Sequence, residues 1–125
     1  MFMAMFGMNA PLVQITVQEL ATKMAAQADA RQNALQLVDV REWSEIQIAA
    51  IPGFMNLPLS DYETWQQDIH SRLDGETETL VLCHHGMRSA QMCHWLMSQG
   101  FTNVKNILGG IDSYAIYIDP SIAQY

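Results

Sequence analysis

The feature that most constrains the fold of this chain is the regular alternation of short apolar segments with segments of helical periodicity. Apolar segments of four to six residues occupy 35–40, 54–57, 79–82 and 104–108. Helical segments separate them, and Gly or Pro closes most of the turns between. Short buried strands that alternate with helices are typical of a mainly parallel sheet covered on both faces. The sequence therefore predicts an α/β fold, doubly wound, with helices on both faces of the sheet.

The length of 125 residues predicts a single domain, and we place it at 14–125. Residues 1–13 are apolar and rich in methionine, and we interpret them as a flexible N-terminal segment. No Lys or Arg precedes Lys23, so the positively charged start of a secretion signal is missing. The chain has only two cysteines, too few for a secreted disulfide framework. We therefore expect a cytoplasmic protein.

The charge balance and the hydropathy pattern exclude two classes of partner. Lys and Arg total 6 against 13 Asp and Glu, which gives a formal net charge of -7. An acidic surface argues against nucleic acid and against anionic membranes as binding partners. No apolar run approaches the ~20 residues of a membrane-spanning helix. We expect neither nucleic acid nor a membrane among the partners.

The segment with the strongest chemical signal follows the predicted strand at 79–82. Cys83 comes first, then Gly86 and Arg88, and Ser89 opens a predicted helix. In open parallel sheets, ligands bind beyond the carboxyl ends of the strands. The N–H groups of a tight loop and of a helix N-terminus favour a thiolate, as does a nearby arginine. The pattern predicts a nucleophilic Cys83, and a merely structural buried cysteine is the alternative.

Two cysteine chemistries use a loop of this kind. Cys-based phosphatases have His before the cysteine and five residues between the cysteine and the arginine. Here Leu82 precedes the thiol, and four residues separate Cys83 from Arg88. The shorter loop suits a bound sulfur atom better than a phosphate group. A phosphatase or arsenate reductase on the same fold stays open as an alternative.

At four places, in the same order along the chain, the sequence resembles the rhodanese-domain sulfurtransferases. Residues 83–89 are similar to the active-site loop of that family, and residues 39–42 match its Asp-Val-Arg-Glu. Residues 51–58 resemble its Ile-Pro-Gly element, and residues 100–111 resemble its Gly-Phe to Gly-Gly ending. The chain is thereby identified as similar to a stand-alone, single rhodanese-like domain.

The resemblance implies an enzyme of the thiosulfate sulfurtransferase type. Cys83 would take a sulfane sulfur from a small-molecule donor such as thiosulfate, hold it as a persulfide, and pass it to a thiol or to cyanide. A sulfur-relay protein is an alternative partner. No cofactor is expected, and no metal is expected because His70 and His94 form no zinc-ligand spacing with Cys83 and Cys93. The loop that binds substrate and persulfide would consist of His84, His85, Gly86, Met87, Arg88 and Ser89.

The remaining candidates have supporting roles. Asp39 and Arg41 are interpreted as scaffolding of the site, and Asp39 is a candidate partner for the Arg88 guanidinium. Cys93 lies on an apolar helix face and is predicted to be a core residue, with a resolving thiol as the alternative. A non-catalytic module that binds sulfur or docks a partner remains a further alternative function.

Overall fold

The structure, a computed structural model, describes residues 11–27 and 34–125. Residues 1–10 of the predicted flexible segment lie outside the described residues, and Val13 already belongs to the first strand. The elements in chain order are β1 (Val13–Ile15), α1 (Val17–Gln27), β2 (Gln36–Asp39), α2 (Trp43–Ile48), β3 (Met55–Asn56), α3 (Tyr62–Trp65), α4 (Ile69–Arg72), β4 (Thr79–Leu82), α5 (Met87–Ser98), β5 (Val104–Ile107) and α6 (Gly110–Tyr117).

In the described part of the chain, five strands form one parallel sheet in the order β1-β5-β4-β2-β3. Strand β4 is central: Thr79 pairs with Val104 of β5, and Leu82 pairs with Asp39 of β2. The predicted α/β fold with a parallel sheet between helices is confirmed. Within residues 11–27 and 34–125, no helix has both the length and the apolarity needed to cross a membrane.

The side chains of β4 divide between the two hydrophobic cores that cover the sheet. Leu80 packs in the core that contains Leu20 of α1 and Ile111 of α6. Val81 packs in the opposite core, which contains Trp95 of α5. Successive side chains of a strand point to opposite faces of its sheet, so β4 is covered on both sides. This double burial explains why the segment contains no charged residue.

The predicted helix from Ser60 to about Leu73 is broken into α3 and α4. One 3₁₀ turn precedes α3, and a second joins α3 to α4. At Asp68 the backbone leaves the helical region, with φ -103° and ψ 12°. Trp65 and Ile69 are nevertheless both buried, as their spacing predicted. The Trp65 indole N–H donates to the carbonyl of Pro58 at 2.8 Å. Tertiary packing thus preserves the apolar face while the helix itself is interrupted.

The start of α1 follows the local sequence signal. Thr16 and Glu19 form the predicted capping box: the Glu19 N–H donates to Thr16 Oγ1 at 3.0 Å, and the Thr16 N–H donates to Glu19 Oε1 at 2.8 Å. This exchange satisfies two N–H groups that the first helical turn leaves free. It directs the chain from the end of β1 straight into α1.

The first turn of α6 lies directly against the loop after β4. The N–H groups of Ile111 and Asp112 donate to the carbonyl oxygens of Cys83 and His84, at 2.9 and 3.1 Å. Gly110 has φ +61°, and a Cβ at this position would collide with the same two oxygens. Only glycine allows the helix to approach the loop this closely.

We expect Gly110→Ala to lower the free energy of unfolding more than Gly100→Ala does. Both glycines have positive φ, where a Cβ costs about 1–2 kcal/mol. At Gly100 nothing lies within 4 Å of the added atom, whereas at Gly110 it meets backbone. The collision should add about 1–3 kcal/mol, as overpacking does. Denaturant unfolding of both variants measures the difference, and equal losses would contradict the packing argument.

Candidate active site

The sulfur of Cys83 lies at the carboxyl end of the central strand, in the position that the sequence indicated. The residue is 1% exposed. The Gly86 N–H donates to Cys83 Sγ at 3.0 Å, and the Ser89 hydroxyl lies 3.2 Å from the same atom. Hydrogen bonds of this kind stabilise negative charge on sulfur more than they stabilise a neutral thiol. The site is therefore built to hold a thiolate or another anionic sulfur.

Gly86 shapes the loop between β4 and α5. Its φ of +106° is in the left-handed region, and α5 begins at the next residue, Met87, two residues earlier than predicted. A Cβ on Gly86 would lie 3.3 Å from the N atom of Gly109 and 3.5 Å from the carbonyl oxygen of Ile107. The positive φ of the turn and the closeness of the neighbouring backbone both favour glycine at this position. The Gly86 N–H points at the Cys83 sulfur.

A buried polar pair, Ser89 and Asn106, lies next to the Cys83 sulfur. Ser89 Oγ lies 2.5 Å from Asn106 Oδ1. The Asn106 amide nitrogen donates to the carbonyl oxygen of Gly86 and to Gln14 Oε1, each at 3.1 Å. Because both amide protons are thereby used, the amide oxygen faces Ser89. The single Ser89 hydroxyl proton is placed between two acceptors, Asn106 Oδ1 and the Cys83 sulfur.

Sequence reasoning missed Asn106. It lies in a strand that was predicted to be apolar, and it is 1% exposed. A lone amide in a buried strand is itself a signal, because a buried polar side chain needs hydrogen-bond partners. Its partners, however, come from β1, from the loop and from α5, so the sequence does not indicate what the amide holds.

Arg88 forms a bidentate ion pair with Glu45 of α2. Its two terminal nitrogens lie 2.7 and 2.8 Å from the two carboxylate oxygens. The expectation that Arg88 would pair with Asp39 is therefore corrected. Hydrogen bonds from Arg88 lower the pKa of Glu45 to about 2, against the opposing effect of burial. The ion pair fixes the start of α5 to α2.

Asp39 is unavailable to Arg88 because it binds Arg41. The Arg41 guanidinium donates to both Asp39 oxygens at distances from 2.8 to 3.2 Å, and both side chains are buried. Arg41 also donates to the Tyr125 hydroxyl at 2.9 Å, and that hydroxyl donates to Glu45 at 2.9 Å. The two ion pairs thus form one network. The role of Asp39 and Arg41 as scaffolding of the site stays a prediction.

The two histidines of the loop stack at the surface beside the thiol. The ring of His84 lies 3.8 Å from the ring of Tyr125 and 3.9 Å from that of His85. Burial, and then the charge of His85, lower the pKa of His84. His85 is exposed, and its Nδ1 lies 3.9 Å from Asp112 Oδ2. Ligand atoms of these three side chains lie within 4.8 Å of one another, so the described residues include a group able to hold a metal ion.

Two further candidates, Cys93 and Met87, differ in burial. Cys93 of α5 is fully buried in the core, as predicted, and burial raises the pKa of its thiol. A thiolate is therefore strongly disfavoured at Cys93. Met87, predicted to belong to the binding loop, is 78% exposed at the first position of α5.

Comparisons with known proteins agree on one family. Residues 16–116 match the model of the rhodanese-like domain. The chain is 49% identical over 115 residues to rhodanese-like/PpiC domain-containing protein 12, chloroplastic, of Arabidopsis thaliana, covering 92% of this chain and 38% of that protein. It is 31% identical over 107 residues to a sulfurtransferase of Allochromatium vinosum, covering 86% of this chain and 96% of the relative.

Solved structures share the fold. A protein of Staphylococcus saprophyticus, SSP1007, superposes with a TM-score of 0.67 and 28% identity, over 90% of this chain and 99% of its own. The human single-domain sulfurtransferase TSTD1 superposes with a TM-score of 0.69 and 24% identity, over 86% of this chain and 98% of its own.

We expect Glu45→Gln to change how stability depends on pH. The pKa of Glu45 is about 2, below its ordinary 4.5, so the ion pair contributes fully above pH 4.5 and is lost as pH falls from 4.5 toward 2. Arg88 is 35% exposed, and after allowance for solvent screening the contribution is about 1–2 kcal/mol. The free energy of unfolding, measured with denaturant across this pH range, should show this loss in the wild type and in the control Glu63→Gln. Glu45→Gln should not show it.

If the free energy of unfolding depends on pH in the same way in all three chains, the ion pair does not make this contribution.

Proposed function

The chain belongs to the rhodanese-like domain family of sulfurtransferases, and on this premise we propose that it moves a sulfane sulfur from a donor such as thiosulfate to a thiol or cyanide through a persulfide on Cys83. The observation that carries the proposal is the geometry at Sγ, which receives the Gly86 N–H at 3.0 Å and lies 3.2 Å from the Ser89 hydroxyl. The chain spans 38% of the length of its Arabidopsis relative, so the activity of any larger protein is part of the proposal.

In the first half-reaction, the Cys83 thiolate attacks the outer sulfur of the donor. A new S–S bond forms to Cys83 while the S–S bond of thiosulfate breaks, and sulfite leaves with the electron pair. The negative charge ends on the outer sulfur of the persulfide. Backbone N–H groups of the loop stabilise that charge as an oxyanion hole stabilises oxygen. Since these donors are backbone groups, they are in place before the donor binds.

In the second half-reaction, an acceptor thiolate or cyanide attacks the outer sulfur of the persulfide. The bond to the acceptor forms, the persulfide S–S bond breaks, and the electron pair returns to Cys83 as a thiolate. The Ser89 hydroxyl can donate to this thiolate, because it lies within reach of Cys83 Sγ and of Asn106 Oδ1 alike. We assign Ser89 and Asn106 as positioning residues for the returning thiolate.

Arg88 also acts as a positioning residue in this scheme. Both of its terminal nitrogens bind Glu45, so its charge serves the loop conformation rather than direct contact with the donor. The exposed His85 is the loop residue best placed to meet an anionic donor when protonated. A sulfur-relay protein as donor or acceptor, and the cytoplasmic location expected from the sequence, stay predictions.

Intact mass and peptide mapping after incubation with thiosulfate test the proposal. We expect one added sulfur atom in the wild type, mapped to Cys83, and its removal by cyanide with release of thiocyanate. Cys83→Ala should show neither added sulfur nor turnover. The matched control, Cys93→Ser, should keep both, because burial disfavours a thiolate at Cys93.

Two results would contradict the proposal. A persulfide on Cys93, or turnover that persists in Cys83→Ala, would remove the assigned nucleophile. Hydrolysis of a phosphomonoester that is lost in Cys83→Ala, without sulfur transfer by the wild type, would instead favour the phosphatase alternative.

A further inference from the structure

Three side chains at the edge of the active-site loop lie close together, and no hydrogen bond joins His85 to Asp112. His84 and His85 come from the loop, and Asp112 comes from the first turn of α6. One ligand atom from each lies within 4.8 Å of the other two. We propose that these three residues form a binding site for a divalent transition metal ion, with Zn²⁺ as the representative ligand. The proposal concerns binding alone and goes beyond the sulfur transfer proposed above.

The separation of His85 and Asp112 suits a bridging ion better than a hydrogen bond. Their nearest ligand atoms, Nδ1 and Oδ2, are 3.9 Å apart. A hydrogen bond between nitrogen and oxygen requires about 2.7–3.2 Å. Two ligands at about 2.0–2.1 Å from one zinc ion lie about 3.4 Å apart at the tetrahedral angle and about 4 Å apart at wider angles. Because a ring nitrogen binds metal in the plane of its ring, the exposed His85 must rotate off the face of His84 for both imidazoles to reach one ion.

Hydrogen bonds between α6 and the loop hold the backbone that carries the ligands. The Asp112 N–H donates to the carbonyl of His84 at 3.1 Å, and the Ile111 N–H donates to that of Cys83 at 2.9 Å. Gly110 allows this close contact between α6 and the loop. An ion would therefore bind to a framework whose ordering is already complete, which favours affinity.

The His84 ring hydrogen-bonds to the backbone of Tyr125 but leaves one of its nitrogens without a partner among the described residues. In the part of the chain that the structure describes, His84 Nε2 is shielded from solvent and has no hydrogen-bond partner. A buried polar atom without a partner costs free energy, and a bound ion or water is the usual explanation. The His84 ring stacks on Tyr125 with a centroid distance of 3.8 Å, which restricts its orientation.

The types of ligand select the class of ion. Two imidazoles and one carboxylate suit zinc, copper, nickel and iron, whereas calcium and magnesium prefer oxygen ligands alone. The side chains of His85 and Asp112 are 61% and 28% exposed, so an ion can enter from solvent. Three protein ligands leave at least one coordination position to water. The expectation of no metal rested on chain spacing, which does not indicate a ligand supplied by a distant helix.

Calorimetric titration with Zn²⁺ tests the site, using the full chain freed of any affinity tag and pretreated with chelator. We expect one saturable zinc ion per chain. Asp112→Asn should weaken binding by at least about tenfold, since even outer-shell changes at zinc sites cost this much. The matched control is Asp119→Asn, just beyond the other end of α6, where the carboxylate accepts only from Ser121 among the described residues. This control should bind zinc like the wild type.

Two more variants keep the result interpretable. His85→Ala removes an exposed side chain, so the variant should fold, and we expect the same loss of zinc affinity as in Asp112→Asn. Cys83→Ala should retain the zinc ion. Absence of saturable binding, unchanged affinity in Asp112→Asn and His85→Ala, or loss of binding in Cys83→Ala would each overturn the proposal. None of these readouts depends on sulfur transfer, so a failure here is distinguishable from a failure of the proposed function.

Discussion

The contact between the first turn of α6 and the loop after β4 is the constraint on which the rest of the site depends. Two carbonyl oxygens of the loop are occupied by N–H groups of α6, and Gly110 is the residue that lets the two backbones meet. With those carbonyls held from one side, the Gly86 N–H reaches the Cys83 sulfur at 3.0 Å. The same contact carries Asp112 to the two histidines.

The charged side chains at this end of the sheet mainly pair with one another and hold neighbouring elements together. Arg41 and Arg88 each bind a carboxylate through more than one nitrogen, and Tyr125 joins the two pairs through its hydroxyl. An unpaired charge at the buried Arg41 position would cost free energy. Because the Arg41 guanidinium is paired and hydrogen-bonded, it fixes the direction of the chain after β2. In the proposed reaction, stabilisation of an anionic sulfur is thereby left to the Gly86 N–H and to Ser89. Such groups need no reorganisation during the reaction.

The sequence predicted most accurately those features that depend on neighbouring residues. Strand 79–82 has the predicted bounds, and the capping box of α1 forms as expected. The helix expected from Ser60 to about Leu73 is interrupted, because the burial of Trp65 and Ile69 does not require a continuous helix between 60 and 73. Local periodicity indicates which side chains face the core, but not whether every intervening residue keeps helical dihedrals.

For the site, the sequence by itself predicted Cys83 as the nucleophile, and it determined that Cys83 and the glycine of the turn lie at the end of a buried strand. These follow from the order of residues within one loop and from the rule that parallel strands expose their carboxyl ends at one edge. Only the tertiary structure decided that Glu45 binds Arg88, that Asn106 supports Ser89, and that Asp112 meets the histidines. Each of these partners comes from another element, and its distance from the loop is set by helix and strand packing rather than by position along the chain.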